Sequence, residues 1–199
     1  MRIELQIRPN DPSIAPLRDA WRNAARRHDG RHDALARSAR ERYDQIAGND
    51  LPSVVREPLS LVPSMARMLS DAHWDIESAA REHVVGALAY FVDPNDLIPD
   101  DEGHFGFLDD AMVIKIALAE AQHEWFAWCD FSDYMEAHPE EIGIDRETWM
   151  QRRRDRFEAS LRRRVDPGHS ASSTRPVQLR SDAGRYAPNF DSPPRFGVR

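Results

Sequence analysis

Residues 87–110, ALAYFVDPNDLIPDDEGHFGFLDD, decide how the rest of the chain is read. An apolar segment stops at Asp93-Pro94, an acid-rich connection follows, and apolar residues resume at Phe107. Proline cannot continue a helix, because it lacks the amide donor and its ring crowds the preceding turn. Upstream, Ile76, Ala80, Val84, Ala87, Leu88 and Phe91 recur at helical spacing, so a helix is predicted to end before Pro94. Downstream, Ala111, Ile114, Leu118, Ala121, Trp125 and Trp128 recur every three or four residues, which predicts a second helix over 107–131.

The order of Tyr90, Asp93, Pro94, the run Asp96-Leu97-Ile98-Pro99-Asp100, and the pair Asp109-Asp110 after Gly106 resembles the YkvA-like domain, a bacterial family of unknown function. The resemblance covers residues 78–125 and implies a helical hairpin. Members commonly carry apolar residues through the connection and are often membrane-associated. Here the connection reads Asp101-Glu102-Gly103-His104, which argues against attachment through that loop.

Outside this stretch the chain reads as a charged helical protein. Its 199 residues are enough for one domain with a core, plus tails. With 31% charged residues and a mean hydropathy of -0.67, a polar, surface-rich helical chain is expected. The longest apolar runs, 84–92 and 111–119, fall short of the about 20 residues a bilayer crossing requires. The first residues, MRIELQIRPNDP, lack the basic start and apolar core of a secretory leader, and the single Cys129 excludes an internal disulfide. A cytoplasmic location is the expectation.

Ile3, Leu5 and Ile7 alternate with polar residues, the period-two pattern of a short N-terminal strand that could pair with a second copy of the chain. Two charged helices with thin apolar faces are predicted over 17–27 and 33–47, around Gly30. Leu59, Val62, Ala66 and Leu69 predict a short helix ending near Ser70. A last helix is predicted from an Asp145 cap through Trp149, Phe157 and Leu161 to residue 165. The Ser-, Pro-, Gly- and Arg-rich residues beyond show no periodicity and predict a disordered tail. The whole is an all-α helical bundle built around the hairpin, organised as 1–77, 78–131, a helical extension at 132–166 and a tail at 167–199.

Five aspartates crowd the connection: Asp93, Asp96, Asp100, Asp109 and Asp110. Oxygen ligands of this kind suit hard cations, which makes Asp96, Asp100 and Asp110, with His104, the metal candidates. Capping explains the same positions, since Asp93 and Asp96 suit a helical turn and Asp109 and Asp110 favour a helix N-terminus. A helical wheel turns Asp110 toward Ile114, Ala117 and Ala121 and Asp109 toward Glu120 and His123. Asp110 is therefore expected to be buried and to accept hydrogen bonds from Tyr90, an arginine or the 96–100 backbone, as a structural clasp. No cofactor is implied, because the chain lacks a glycine-rich phosphate loop, a CxxC pair and an HExxH sequence. Arg27 and His32 match the loose Arg-x4-His spacing of HEPN-type ribonucleases, but Gly30 falls between them.

The arginines of the last helix could meet phosphates or an anionic membrane surface. The net charge of -7 and the acidic residues just before that helix disfavour nucleic acid. Aromatic residues anchor interfaces, and Phe126, Tyr186, Phe190 and Phe196 are the interaction candidates. The expectation is a non-enzymatic interaction or adaptor protein with a protein partner. The alternatives are a metal-dependent enzyme using the acidic turn, or a peripheral membrane protein.

Overall fold

The computed structural model describes residues 12–28, 30–93, 98 and 106–165; the expected strand at 2–8 and the tail at 167–199 lie outside the described residues. Every regular element among them is helical: a 3₁₀ turn at Pro12–Ile14, then α1 (Ala15–Arg27), α2 (His32–Ile46), α3 (Ser53–Leu59), α4 (Val62–Ser70), α5 (Ser78–Val92), α6 (Leu108–Glu120), α7 (Gln122–Ala137) and α8 (Arg146–Val165). Contacts divide the chain into two units, Met1–Glu147 and Thr148–Arg199.

The first unit is organised around α5, which packs against α1, α2, α4 and α6. The reason is in its composition. From Val84 on, α5 is apolar all round, and such a segment has no face to give to water and must be covered on every side. Each residue from 84 to 91 is buried, and the stripe read from the sequence, from Ile76 to Phe91, is buried throughout. α6 has the same character and packs against α1, α3 and α5.

The thin faces of α1 and α2 cover α5 because they use few, well-placed residues. On α1 these are Leu17, Trp21 and Ala24; on α2 they are Leu35, Ala36, Ala39 and Ile46. Trp21 lies directly over Gly86, where an added Cβ would sit 2.1 Å from the indole Cδ1 and Nε1 atoms. Gly86 is thus a close-approach glycine within a helix, and its missing side chain makes the room that the Trp21 ring fills.

Proline placement explains the middle of the chain. Pro16 and Pro63 occupy the opening positions of α1 and α4, where the missing amide donor costs nothing. The short helix expected to end near Ser70 is α4, while Leu59 closes a separate helix, α3, whose last turn tolerates Pro58.

The second helix of the central pair also differs from expectation. Instead of one helix over 107–131, α6 ends at Glu120 and α7 starts at Gln122, with Ala121 at φ -94°, ψ 15°. Backbone hydrogen bonding continues through the bend, Ala121 N–H donating to Ala117 C=O at 2.9 Å and Trp125 N–H to Ala121 C=O at 2.9 Å. No proline or glycine marks the position. The last helix forms over the expected residues as α8, and Phe157 and Leu161 on it are 65% and 43% exposed.

Replacing Gly86 with Ala adds about 1 kcal/mol of helix propensity, while forcing a methyl group into a filled core costs about 1–3 kcal/mol. The expected outcome is a net loss of stability in chemical denaturation. The loss should shrink or reverse in a Trp21→Leu background, because the clash is with the indole. An equal loss in both backgrounds would show that the ring is not the obstacle.

Candidate functional site

Tyr90, in the last turn of α5, and Asp109, in the first turn of α6, meet across the acidic connection. The Tyr90 hydroxyl donates to Asp109 Oδ2 at 2.8 Å, and the Ile98 N–H donates to the same oxygen at 3.0 Å. Asp109 Oδ1 accepts from the Asp110 N–H at 3.1 Å. Asp109 is 3% exposed and Asp110 0%. The wheel that turned Asp109 outward assumed one buried face, whereas α6 is covered by α1, α3 and α5. The carboxylate that reaches Tyr90 is therefore Asp109. Asp93, at the end of α5, forms an ion pair with Arg27 from the end of α1. Arg27 is thereby engaged in holding two helix ends together.

Asp96, Asp100 and His104 lie outside the described residues. Among the described residues, no group of three or more His, Cys, Asp or Glu side chains is arranged to hold a metal ion. Phe126 is half-buried on α7, and Tyr186, Phe190 and Phe196 lie outside the described residues.

A third buried carboxylate went unremarked in the sequence. Glu124, 6% exposed on α7, accepts through Oε1 from Trp74 Nε1 at 3.1 Å, the Glu77 N–H at 3.2 Å and Arg146 Nε at 2.6 Å. Its Oε2 accepts from an Arg146 terminal nitrogen at 2.8 Å. This two-pronged guanidinium–carboxylate contact is the strong geometry for such a pair. The hydrogen bond to Glu124, ahead of the nearby charges, raises Arg146 above its ordinary value. Close by, Trp128 Nε1 donates to Asp71 Oδ2 at 3.1 Å and the Arg146 N–H to His73 C=O at 3.1 Å. The clue was available: Glu124 stands three residues after Ala121 and four before Trp128, inside the apolar stripe.

Cys129 is not a nucleophile candidate. Burial, helped by Asp133 and Asp130, pushes its thiol far above the ordinary range.

On the other side of α5 a cleft of about 650 Å³ opens between α1 and the first turns of α5. Arg22, Arg26, His32, Arg81, Glu82 and His83 line it, with Trp21 and Val85 in its wall. The Trp21 and His83 rings lie 5.3 Å apart. Burial, ahead of any charge, lowers His83 below the usual imidazole value; Arg22 and Arg18 add to this, against Glu120 and Glu82. The lowering disfavours the charged ring and so weakens its 3.9 Å approach to Glu120 as an ion pair. Glu120 pairs instead with Arg18 at 2.7 Å.

A protein-family model described as a protein of unknown function, DUF1232, matches residues 83–116. That span includes Tyr90, Asp93, Asp109 and Asp110, and ends within α6. No curated protein and no solved structure matches the chain. Among the described residues, no helix is long and apolar enough to cross a membrane.

Asp109→Ala removes the acceptor of the Tyr90 hydroxyl and of the Ile98 N–H, and losing a buried acceptor costs about 1–3 kcal/mol. The variant should lose about 2–4 kcal/mol in urea denaturation. Tyr90→Phe, which removes one donor and leaves the carboxylate its others, should lose less. An Asp109→Ala midpoint equal to wild type would remove the contact from the account of stability.

Proposed function

We propose that the protein is a non-enzymatic interaction protein that docks an acidic protein partner on α8. The observation that carries this reading is the exposure of Phe157 and Leu161, four residues apart on a helix that beyond Arg146 carries seven arginines against three acidic residues. Residues at this spacing share one helix face. From residue 154 to residue 162 every side chain is exposed. Local contacts support the helix there, with Gln151 donating to Asp155 at 2.8 Å and Arg162 facing Glu158 at 3.4 Å. Such pairs add only about 0.2–0.5 kcal/mol each, so a packing partner is the larger source of order available to it.

The sign of the charge selects the partner. A positive helix on a chain of net charge -7 is complementary to an acidic surface, and complementary charge raises encounter rate and specificity. Two apolar side chains are enough to anchor an interface. They are few for a helix lying in a membrane interface, which needs a broad apolar face. The carboxylates of Asp109 and Glu124 are occupied as acceptors inside the protein, which supports reading them as structural clasps. We also read residues 78–125 as YkvA-like, supported by the match to a family of unknown function within them, and the protein as cytoplasmic.

A photo-crosslinking residue at Ser160 in the native host tests the docking. The expected result is one discrete protein adduct. Once that partner is purified, Phe157→Asp with Leu161→Asp should weaken binding at least about tenfold, with affinity falling as salt rises. Binding to anionic vesicles without a protein adduct, or unchanged affinity in the double variant, would contradict the proposal.

A further inference from the structure

The cleft between α1 and α5 has a charge pattern that its surroundings do not require. Arg22 and Arg26 are four residues apart on α1, so their side chains are neighbours on one face, and Arg81 joins them from α5. Among the described lining residues Glu82 is the acidic one. Neither Arg22 nor Arg26 is held in an ion pair among the described residues. Arg81 is oriented from below, one terminal nitrogen donating to Ile76 C=O at 2.7 Å and to Asp75 at 2.5 Å. The Asp75 side chain is 95% exposed, so that contact is weakly held. A guanidinium has five donors, and the others remain to Arg81.

The end of α5 is not the source of the positive field. Its first turn is capped internally, Glu77 Oε2 accepting from the Ala80 N–H at 3.2 Å. The attraction comes from the three guanidinium groups, whose planar forks match phosphate oxygens. Size narrows the ligand further. A cleft of about 650 Å³ falls within the range of about 300–1,000 Å³ typical of small-molecule sites, far more than one inorganic phosphate fills.

We propose that this cleft binds a phosphate-bearing small molecule of mononucleotide size, with Arg22, Arg26 and Arg81 holding its phosphates. The site belongs to the first unit and does not depend on the α8 reading.

Calorimetry on the full chain at low ionic strength tests it, with ADP, pyrophosphate and inorganic phosphate as probes. ADP should bind saturably at one site, pyrophosphate less tightly and inorganic phosphate least. Arg22→Glu with Arg26→Glu, both exposed and therefore compatible with folding, should weaken ADP at least about tenfold. Arg37→Glu with Arg40→Glu, exposed on α2, should leave ADP affinity unchanged. The His83 ring resonances should shift on ADP addition. The proposal is overturned by absence of saturable ADP binding, by inorganic phosphate binding as tightly as ADP, or by equal losses in the two arginine pairs.

Discussion

The Glu124 carboxylate is the point at which three separate segments of the first unit meet. A carboxylate taken out of water must recover its lost hydration through hydrogen bonds and an opposite charge. Glu124 does so by drawing in the Trp74 indole, the Glu77 backbone and the Arg146 guanidinium. Those partners come from the connection before α5 and from the first residue of α8. Glu77 in turn caps α5, so the start of the central helix is fixed through the same residue that Glu124 holds. The Trp74 and Phe131 rings, 5.1 Å apart, close the apolar side of this junction.

The far end of α5 is fastened by different carboxylates on the same principle. Tyr90 reaches Asp109 on α6, and Asp93 reaches Arg27 on α1. Between the two ends, the buried residues from Val84 to Phe91 and the fit of Trp21 over Gly86 hold the helix by packing. In this arrangement acid groups fasten helix ends and apolar contacts fill the middle. Arg22 and Arg26 of the α1–α5 cleft and Phe157 and Leu161 of α8 carry none of these contacts, and the proposed recognition surfaces are built on them.

Much of this was legible in the residues. The apolar stripes of α5 and α6, their interruption at Asp93-Pro94 and the all-helical character followed from periodicity and proline chemistry. The bend at Ala121 was not, because alanine continues a helix readily and nothing local breaks it; the bend carries α7 to where Glu124 and Trp128 meet the connection before α5. The roles of Asp109 and Asp110 could not be separated by a wheel, since a helix covered on several sides buries more than one face. Phe157 and Leu161 repeat at the same spacing as core residues, and periodicity alone does not distinguish a stripe facing a core from one facing solvent. Trp21 and Gly86 lie 65 residues apart in the chain, and only the packing of α1 on α5 joins them.

The most direct test of this account is a double-mutant cycle on Glu124→Gln and Arg146→Met, followed by urea denaturation. The account predicts that each single change is destabilising, by about 2–4 kcal/mol, because it leaves a largely desolvated partner behind. The double variant should lose clearly less than the sum, with a coupling energy above about 1 kcal/mol. Additive losses, within about 0.5 kcal/mol, would mean that the pair does not hold the junction together and that the first unit owes its arrangement to apolar packing alone.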